Sequence, residues 1–144
     1  MYHRTRWTPK KIEQRLGLIA PLVYIKRKPL PAFRYRDLDH ALTPPPIETH
    51  LDDSNWQEID AYEYWGSWMQ NFMLRTTFAI PEAWDRTQPI ALHLPLGEAG
   101  DFSHPEALAY IDGMAYPACD RHHQEILLKP DWADGNTHLL TLHG

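Results

Sequence analysis

The dipeptide Asp112-Gly113, set between two apolar runs, is the feature that most restricts the fold of this chain. Both residues tolerate a positive φ, which a type I′ turn requires at its two central positions. The run at 107–111 before the turn and the run at 114–116 after it therefore predict two antiparallel strands, with Pro117 interrupting the second. A third apolar run follows at 126–128. Together these runs predict an antiparallel sheet at the edge of a β-sandwich.

Alternating apolar and polar residues predict further strands. A long strand at 72–80 is expected to place one face on a core, and shorter strands are expected at 90–94 and 140–142. The glycine-containing stretch 97–101 is typical of a loop. Short strands separated by Gly, Pro and Asp turns favour a mainly β fold, and specifically an antiparallel β-sandwich of the jelly-roll, galactose-binding-like type.

The first fifty residues have a different character. Thr8-Pro9 is typical of a helix N-terminus, the apolar residues Ile12, Leu16 and Ile19 follow at helical spacing, and Pro21 ends the pattern. Seven of the thirteen prolines lie before residue 50, which favours an extended arm after the helix. We therefore expect residues 1–50 to form a helix and a proline-rich arm packed on a sandwich formed by 51–144, as one structural domain.

Composition limits the cellular setting. The chain has 144 residues, 43% of them hydrophobic, which is enough for one ordinary core. Its single cysteine, Cys119, excludes an internal disulfide, and the basic, polar start at 1–11 lacks the apolar segment of a secretory signal. No apolar run approaches the length that crosses a bilayer. These features predict a cytoplasmic protein without a membrane partner.

Charge is divided unequally along the chain. Residues 1–50 contain ten Lys or Arg and four Asp or Glu, whereas residues 51–144 contain four and fifteen. The basic part could neutralise phosphates, but the whole chain carries a net charge of −5, prolines interrupt the basic residues, and no base-reading motif is present. We therefore expect no nucleic-acid partner and expect the two halves to attract each other.

A longer motif surrounds the predicted hairpin. It comprises Glu106-Ala107-Leu108, Tyr110, Asp112-Gly113, Asp120-Arg121, His123 and residues 125–128. In this pattern, EAL-Y-DG followed by D-R-x-H-x-E-I-L-L, the chain resembles the non-catalytic N-terminal domain of the cytosolic or vacuolar type of α-mannosidase in glycoside hydrolase family 38. A looser similarity covers Tyr64-Trp65-Gly66, the element at 78–84 and the N-terminal helix.

The resemblance implies that this chain is a non-catalytic domain of a longer polypeptide and that another domain carries out the catalysis. Hydrolysis of α-mannosides in glycans would belong to a catalytic barrel that begins after the point where this chain stops. The zinc ion that holds the mannose ring and the carboxylate nucleophile of the family also belong to that barrel. No catalytic residue, cofactor or metal ligand is therefore assigned to this chain, and its expected partners are the barrel and a glycan.

The polar residues of the motif have two interpretations. Asp120 and His123 could face a sugar across the domain boundary of an intact enzyme. Alternatively, Asp120 caps its own turn through backbone amides, and His123 packs or forms a hydrogen bond beside Glu125, which is the interpretation we favour. A metal site at Asp120, His122 and His123 is disfavoured, because adjacent residues of a strand point to opposite faces.

The aromatic residues offer a second route to a binding site. Flat faces for a sugar could come from the following residues: Tyr62, Tyr64, Trp65, Trp68, Trp84, Tyr110 and Tyr116. For Tyr64, Trp65 and Trp68, packing in the core or between domains is the favoured alternative, because buried Trp stabilises a small domain strongly. Aromatic side chains left exposed by a missing domain would promote self-association.

Two functional hypotheses follow. In the first, the chain is the N-terminal ancillary domain of an α-mannosidase, with a structural or substrate-entrance role. In the second, it is a free-standing carbohydrate-binding or protein-interaction module. The residues expected to contact either a carbohydrate or a neighbouring domain are the same in both: Asp120, His123, Trp65, Trp84 and Tyr110.

Overall fold

The computed structural model describes residues 8–61, 63–97 and 105–144. Within them, helix α1 spans Thr8–Ile19, and single 3₁₀ turns occur at Ala20–Leu22 and Pro130–Trp132. The strands are β1 (Phe33–Leu38), β2 (Gln57–Ile59), β3 (Asn71–Phe78), β4 (Ala91–His93), β5 (Ala107–Ile111), β6 (Met114–Cys119), β7 (Glu125–Leu127) and β8 (His138–His143). Most of the loop predicted at 97–101 lies outside the described residues.

The strands form two antiparallel sheets. Six of them make one sheet in the order β2-β1-β3-β8-β5-β6, and β4 pairs with β7 in a second, smaller sheet. The prediction of a mainly β fold with antiparallel sheet and an N-terminal helix is confirmed. The two central strands, β3 and β8, pair from Met73 with His143 to Phe78 with His138.

One apolar core joins the two sheets. Leu74, Ile111 and Leu140 enter it from the large sheet, and Leu92 and Ile126 enter it from the small one. Each of these side chains is almost completely buried. Burial of an aliphatic side chain of this size contributes about 1.5–3 kcal/mol, so this cluster supplies much of the driving force that holds the sheets together.

The predicted hairpin is present. Asp112 and Gly113 have φ values of 51° and 77°, and they connect Ile111 of β5 to Met114 of β6. The interruption expected at Pro117 takes the form of a bulge: β6 continues to Cys119, but its register against β5 shifts between the Leu108–Ala118 and Tyr110–Ala115 pairs. Strand β6 is the last strand of the sheet, and an edge strand accommodates a proline whose missing N–H is not needed for pairing.

Strand β3 differs from the prediction of one buried face. Phe72 and Leu74 face the main core, but Met73 and Arg75 on the opposite face are equally buried. The reason is a second, smaller cluster in which Met73 packs with Leu38 and Trp56. Alternation within β3 alone does not reveal this cover, because it comes from distant segments of the chain.

The arm contains a strand that was not predicted. Phe33–Leu38 form β1, which pairs with β2 on one side and β3 on the other. Upstream of it, the carbonyl oxygens of Pro31 and Ala32 accept hydrogen bonds from Thr76 Oγ1. The arm is therefore an integral part of the large sheet and does not merely cover its surface.

Helix α1 begins at Thr8 and ends at Ile19, just before Pro21, as the sequence predicts. None of its residues is buried. Ile12, Leu16 and Ile19, which were expected to lie against the sandwich, are each more than half exposed. The expectation that the helix packs on the sheets is therefore not met within the described chain.

Candidate functional site

The resemblance motif places Asp112 at the tip of the hairpin, where it fixes the start of β8. Its Oδ1 accepts a hydrogen bond from the backbone N–H of Leu139 at 2.9 Å, and its own N–H donates to the carbonyl of Leu139 at 3.0 Å. Its Oδ2 lies 2.7 Å from Nδ1 of His138. Asp112 thus joins the β5–β6 turn to the centre of the large sheet.

His138 lies between two carboxylates and is only 9% exposed. Its Nε2 is 3.0 Å from Oδ1 of Asp134, on the side opposite Asp112. Burial opposes protonation of this imidazole, but the hydrogen bonds to Asp112 and Asp134 outweigh it and raise its pKa. The hydrogen bond from His138 is also the main cause that lowers the pKa of Asp134 to about 2.

This arrangement was not predicted from the sequence. The four-residue spacing of Asp134 and His138 is a weak signal, and Asp112 is 26 residues away from His138. Both ring nitrogens of His138 contact carboxylates, which fixes the ring by ion pairing. The cluster is therefore suited to stabilising the fold and responding to pH, and its imidazole is not available as a general base.

Asp120 caps the turn between β6 and β7, as the favoured interpretation predicted. Its Oδ1 accepts hydrogen bonds from the backbone N–H groups of His122 at 2.6 Å and His123 at 2.7 Å. The backbone hydrogen bond from His123 is the largest cause that lowers the pKa of Asp120. His123 Nδ1 is 3.2 Å from Asp120, so the imidazole contacts the capping carboxylate, not Glu125 as expected.

The same turn presents polar groups to solvent. The side chain of His123 is 77% exposed. Arg121 Nε donates to Nε2 of His122 at 3.1 Å. In the described part of the chain, no group of three or more His, Cys, Asp or Glu side chains is arranged to hold a metal ion. The zinc ion implied by the resemblance has no matching donor set here, and it stays a prediction for a catalytic domain.

Trp65 packs inside the domain. Its ring lies 4.7 Å from that of Phe72 in an edge-to-face contact and 5.7 Å from that of Tyr35, measured between centroids. Its neighbours behave differently: Tyr64 is 95% exposed and Trp68 is 74% exposed. Of Tyr64, Trp65 and Trp68, only Trp65 therefore packs against the core. Tyr62, the remaining aromatic of this segment, lies outside the described residues.

Trp84 and Tyr110 occupy two other places in the fold. Trp84 follows β3 and lines a cavity of about 220 Å³ between the arm, at Leu30, and the small sheet, at Leu92. This volume is below the roughly 300 Å³ at which ligand cavities usually begin. Tyr110 lies in β5, paired with Ala115 and Thr141 and half-buried.

Of the five residues predicted to contact a carbohydrate or a neighbouring domain, the structure thus brings Asp120 and His123 together. Trp65, Trp84 and Tyr110 belong to the loop before β3, the turn after β3 and strand β5, respectively. In the loop before β3, the exposed aromatic residues are Tyr64 and Trp68, for which packing was expected. Isolated sequence patterns do not separate Trp65 from Trp68, because the distinction depends on which ring reaches Tyr35 and Phe72.

Comparison with protein-family models, curated proteins and solved structures gives no match for this chain. The relation to family 38 therefore depends on the quoted residues alone. In the described ranges, no helix combines the length and hydropathy that crossing a bilayer requires.

Proposed function

We propose that this chain is the N-terminal ancillary domain of an α-mannosidase that hydrolyses α-mannosides in glycans, and that its own role is non-catalytic. The observation that carries the proposal is the motif from Glu106 to Leu128. It combines a turn dipeptide, a capping Asp and an apolar strand in one order and spacing. The partner is a catalytic barrel of the same polypeptide, which supplies the zinc ion and the nucleophile.

The structural roles of the motif residues support a scaffolding function. Asp112 and Gly113 close a hairpin at positive φ, and Asp112 binds the backbone of β8. Asp120 caps the next turn, and Ile126 is buried in the core between the sheets. A segment in which these matched side chains shape the backbone or fill the core is suited to supporting a neighbouring domain.

We also propose that the two sheets form a jelly-roll sandwich. A six-stranded antiparallel sheet and a two-stranded one share a single core, which is consistent with a sandwich of the jelly-roll, galactose-binding-like type. In such a sandwich the β6–β7 turn that carries Asp120 and His123 would lie at one edge. We propose that this turn contacts the barrel or the substrate entrance, in a cytoplasmic enzyme.

Exposed aromatic residues favour one alternative. Tyr64 and Trp68 present flat rings to solvent on either side of Trp65, which is half-buried against the core. Such rings can stack on the C–H face of a sugar, as in a free-standing carbohydrate-binding module, or can pack on another protein. The two hypotheses differ in whether this chain binds a sugar by itself.

Deletion and reconstitution test the proposal. The product of the complete reading frame should hydrolyse an aryl α-mannoside in a zinc-dependent reaction, and removal of residues 1–144 should reduce the activity or solubility of the remainder. Adding the separate chain should restore it, because the domain acts by packing. Full activity of a soluble remainder that does not bind the chain would contradict an ancillary role.

Calorimetry tests the alternative. Titration of the chain with mannose or mannobiose should give little or no heat. Saturable binding at millimolar or lower concentrations, abolished by Trp68→Ala, Trp65→Ala or Trp84→Ala, would support a carbohydrate-binding module instead. Leu42→Ala is a matched control, since Leu42 is 84% exposed and lies outside these aromatic sites.

A further inference from the structure

Helix α1 is exposed along its whole length, although its sequence is amphipathic. Ile12, Leu16 and Ile19 form one apolar stripe, and Lys11 and Arg15 lie along one border of it. The helix has twelve residues and buries none of them. Isolated helices of about 12–15 residues are marginal in water, so packing against another surface is needed to stabilise α1.

A second exposed surface lies in the segment that connects β2 to β3. We define the aromatic ledge as Tyr64, Trp68 and Met69, which are all at least 74% exposed. The ledge is held in place by Trp65, whose ring packs on Phe72 in the core. Aromatic side chains are enriched at protein interfaces, where they bury a large apolar area.

The backbone of the ledge is strained. Met69 has a φ of 55°, a left-handed conformation that residues with a long side chain rarely adopt, and Gly66 has a φ of 77°. A conformation of this kind persists only where the surrounding structure imposes it, and such positions concentrate in binding surfaces. Met69 is 85% exposed beside Trp68.

The two surfaces are complementary in charge. Residues 8–28, which include α1, contain six Lys or Arg and one Glu. Residues 51–69, which include the ledge, contain five Asp or Glu and no Lys or Arg. Asp60 and Glu63 immediately precede the ledge, whereas Lys11 and Arg15 border the apolar stripe of α1. Two basic helices would repel each other, so the charges favour contact of a helix with a ledge.

We propose that two copies of this chain pair reciprocally, with the apolar stripe of α1 in each copy lying on the aromatic ledge of the other. Such a two-fold arrangement uses both surfaces twice. Twelve large side chains then lose solvent exposure, an area on the order of the 1,200 Å² that specific interfaces require. The pairing does not rest on the proposed function, since neither surface includes residues of the motif from Glu106 to Leu128 that carries it.

The first test combines sedimentation equilibrium with far-UV circular dichroism over a range of concentrations of the 144-residue chain. The dimer fraction and the helical signal should rise together, because α1 is stabilised on the ledge. Trp68→Ala should weaken dimerisation by tenfold or more while leaving the sheet signal unchanged, and Leu16→Asp should do the same. Leu42→Ala, which changes an exposed leucine outside both surfaces, should leave dimerisation unaffected.

Charge reversal gives a sharper test. The double variants Lys11→Glu/Arg15→Glu and Asp60→Lys/Glu63→Lys should each remain monomeric, because helix and ledge then carry the same sign. An equimolar mixture should form a heterodimer, since both of its contacts pair opposite charges. A monomer at every concentration, a dimer insensitive to Trp68→Ala, or a mixture without heterodimer would overturn the proposal. A helical gain that requires anionic lipid vesicles instead of protein concentration would also overturn it.

Discussion

Arg75 on β3 donates its Nε proton to Oδ2 of Asp53 across 2.9 Å, although the arginine is only 1% exposed. Its two terminal nitrogens donate to the carbonyl oxygens of Pro46 and Glu48. The guanidinium also lies over the ring of Trp56, 5.8 Å from its centroid. One arginine thus holds the loop before β2 on the face of β3 that is remote from the main core.

Asp53→Ala should lower the free energy of unfolding by about 3 kcal/mol, because it leaves a buried guanidinium without its counter-charge. Urea denaturation measures this difference. Asp39→Ala, at an exposed position, is the control and should change stability by less than about 0.5 kcal/mol. Equal effects of the two substitutions would show that the Arg75–Asp53 pair does not hold the loop.

His138→Gln should change the pH dependence of stability. The hydrogen bonds to Asp112 and Asp134 raise the folded-state pKa of His138 above its ordinary value of 6.5. Protonation therefore stabilises the fold, and the contribution is fully present below pH 6.5 and is lost as the pH rises through the raised pKa. The stability difference between wild type and variant should be larger at about pH 5.5 than at about pH 8.

His143 provides a control with the opposite sign. Burial lowers the folded-state pKa of His143 below 6.5. The folded chain therefore loses stability as the pH falls from 6.5 through this lowered pKa. His143→Gln should therefore make the chain less sensitive to acid, whereas His138→Gln should make it lose stability chiefly at low pH. Denaturant titrations at both pH values distinguish the two, and a pH-independent effect of His138→Gln would contradict the ion-pair account.

Thr141→Val should stabilise the chain by about 1 kcal/mol. Thr141 is completely buried in β8, and its Oγ1 has no hydrogen-bond partner among the described residues. Valine has nearly the same shape without the hydroxyl, so the desolvation cost disappears. Thr76→Val is the matched control: Thr76 Oγ1 donates towards Pro31 and Ala32, and its loss should destabilise. A loss of stability in Thr141→Val would indicate a partner for this hydroxyl.

Cys119 should resist alkylation in the folded chain. It is 1% exposed at the end of β6, and burial raises its pKa from 9.0 to about 11. Thiolate is the reactive form, so iodoacetamide at about pH 8 should modify the thiol only in the unfolded state. Mass spectrometry with and without urea measures the modified fraction. Rapid modification without denaturant would contradict the placement of Cys119 in the core.

The sequence predicts elements whose signals are local. Asp112-Gly113 gives the hairpin, Thr8-Pro9 and Pro21 bound the helix, and alternation locates β3 and β8. The missed features depend on distant contacts. Strand β1 was missed because prolines precede it and because it contains charged residues, of which Arg34 forms an ion pair with Glu58 of β2.

The candidate site likewise has features that local sequence predicts and features that depend on distant contacts. The cap made by Asp120 could be predicted, because an Asp in a turn commonly accepts hydrogen bonds from the backbone N–H groups two and three residues later. The His138 cluster joins the β5–β6 turn to the distant segment 134–138 and could not be predicted. Likewise, the sequence places Trp65 and Trp68 in one apolar, aromatic stretch, but only the fold decides that Trp65 reaches Phe72 while Trp68 faces solvent.

The release of 4-nitrophenol from 4-nitrophenyl α-mannoside tests the central claim most directly. The product of the complete reading frame should catalyse it, and the purified 144-residue chain at the same concentration should not, because the proposed function places the nucleophile and zinc ligands in a separate catalytic barrel. Turnover that co-purifies with the 144-residue chain, or a complete product that lacks α-mannosidase activity, would contradict the account.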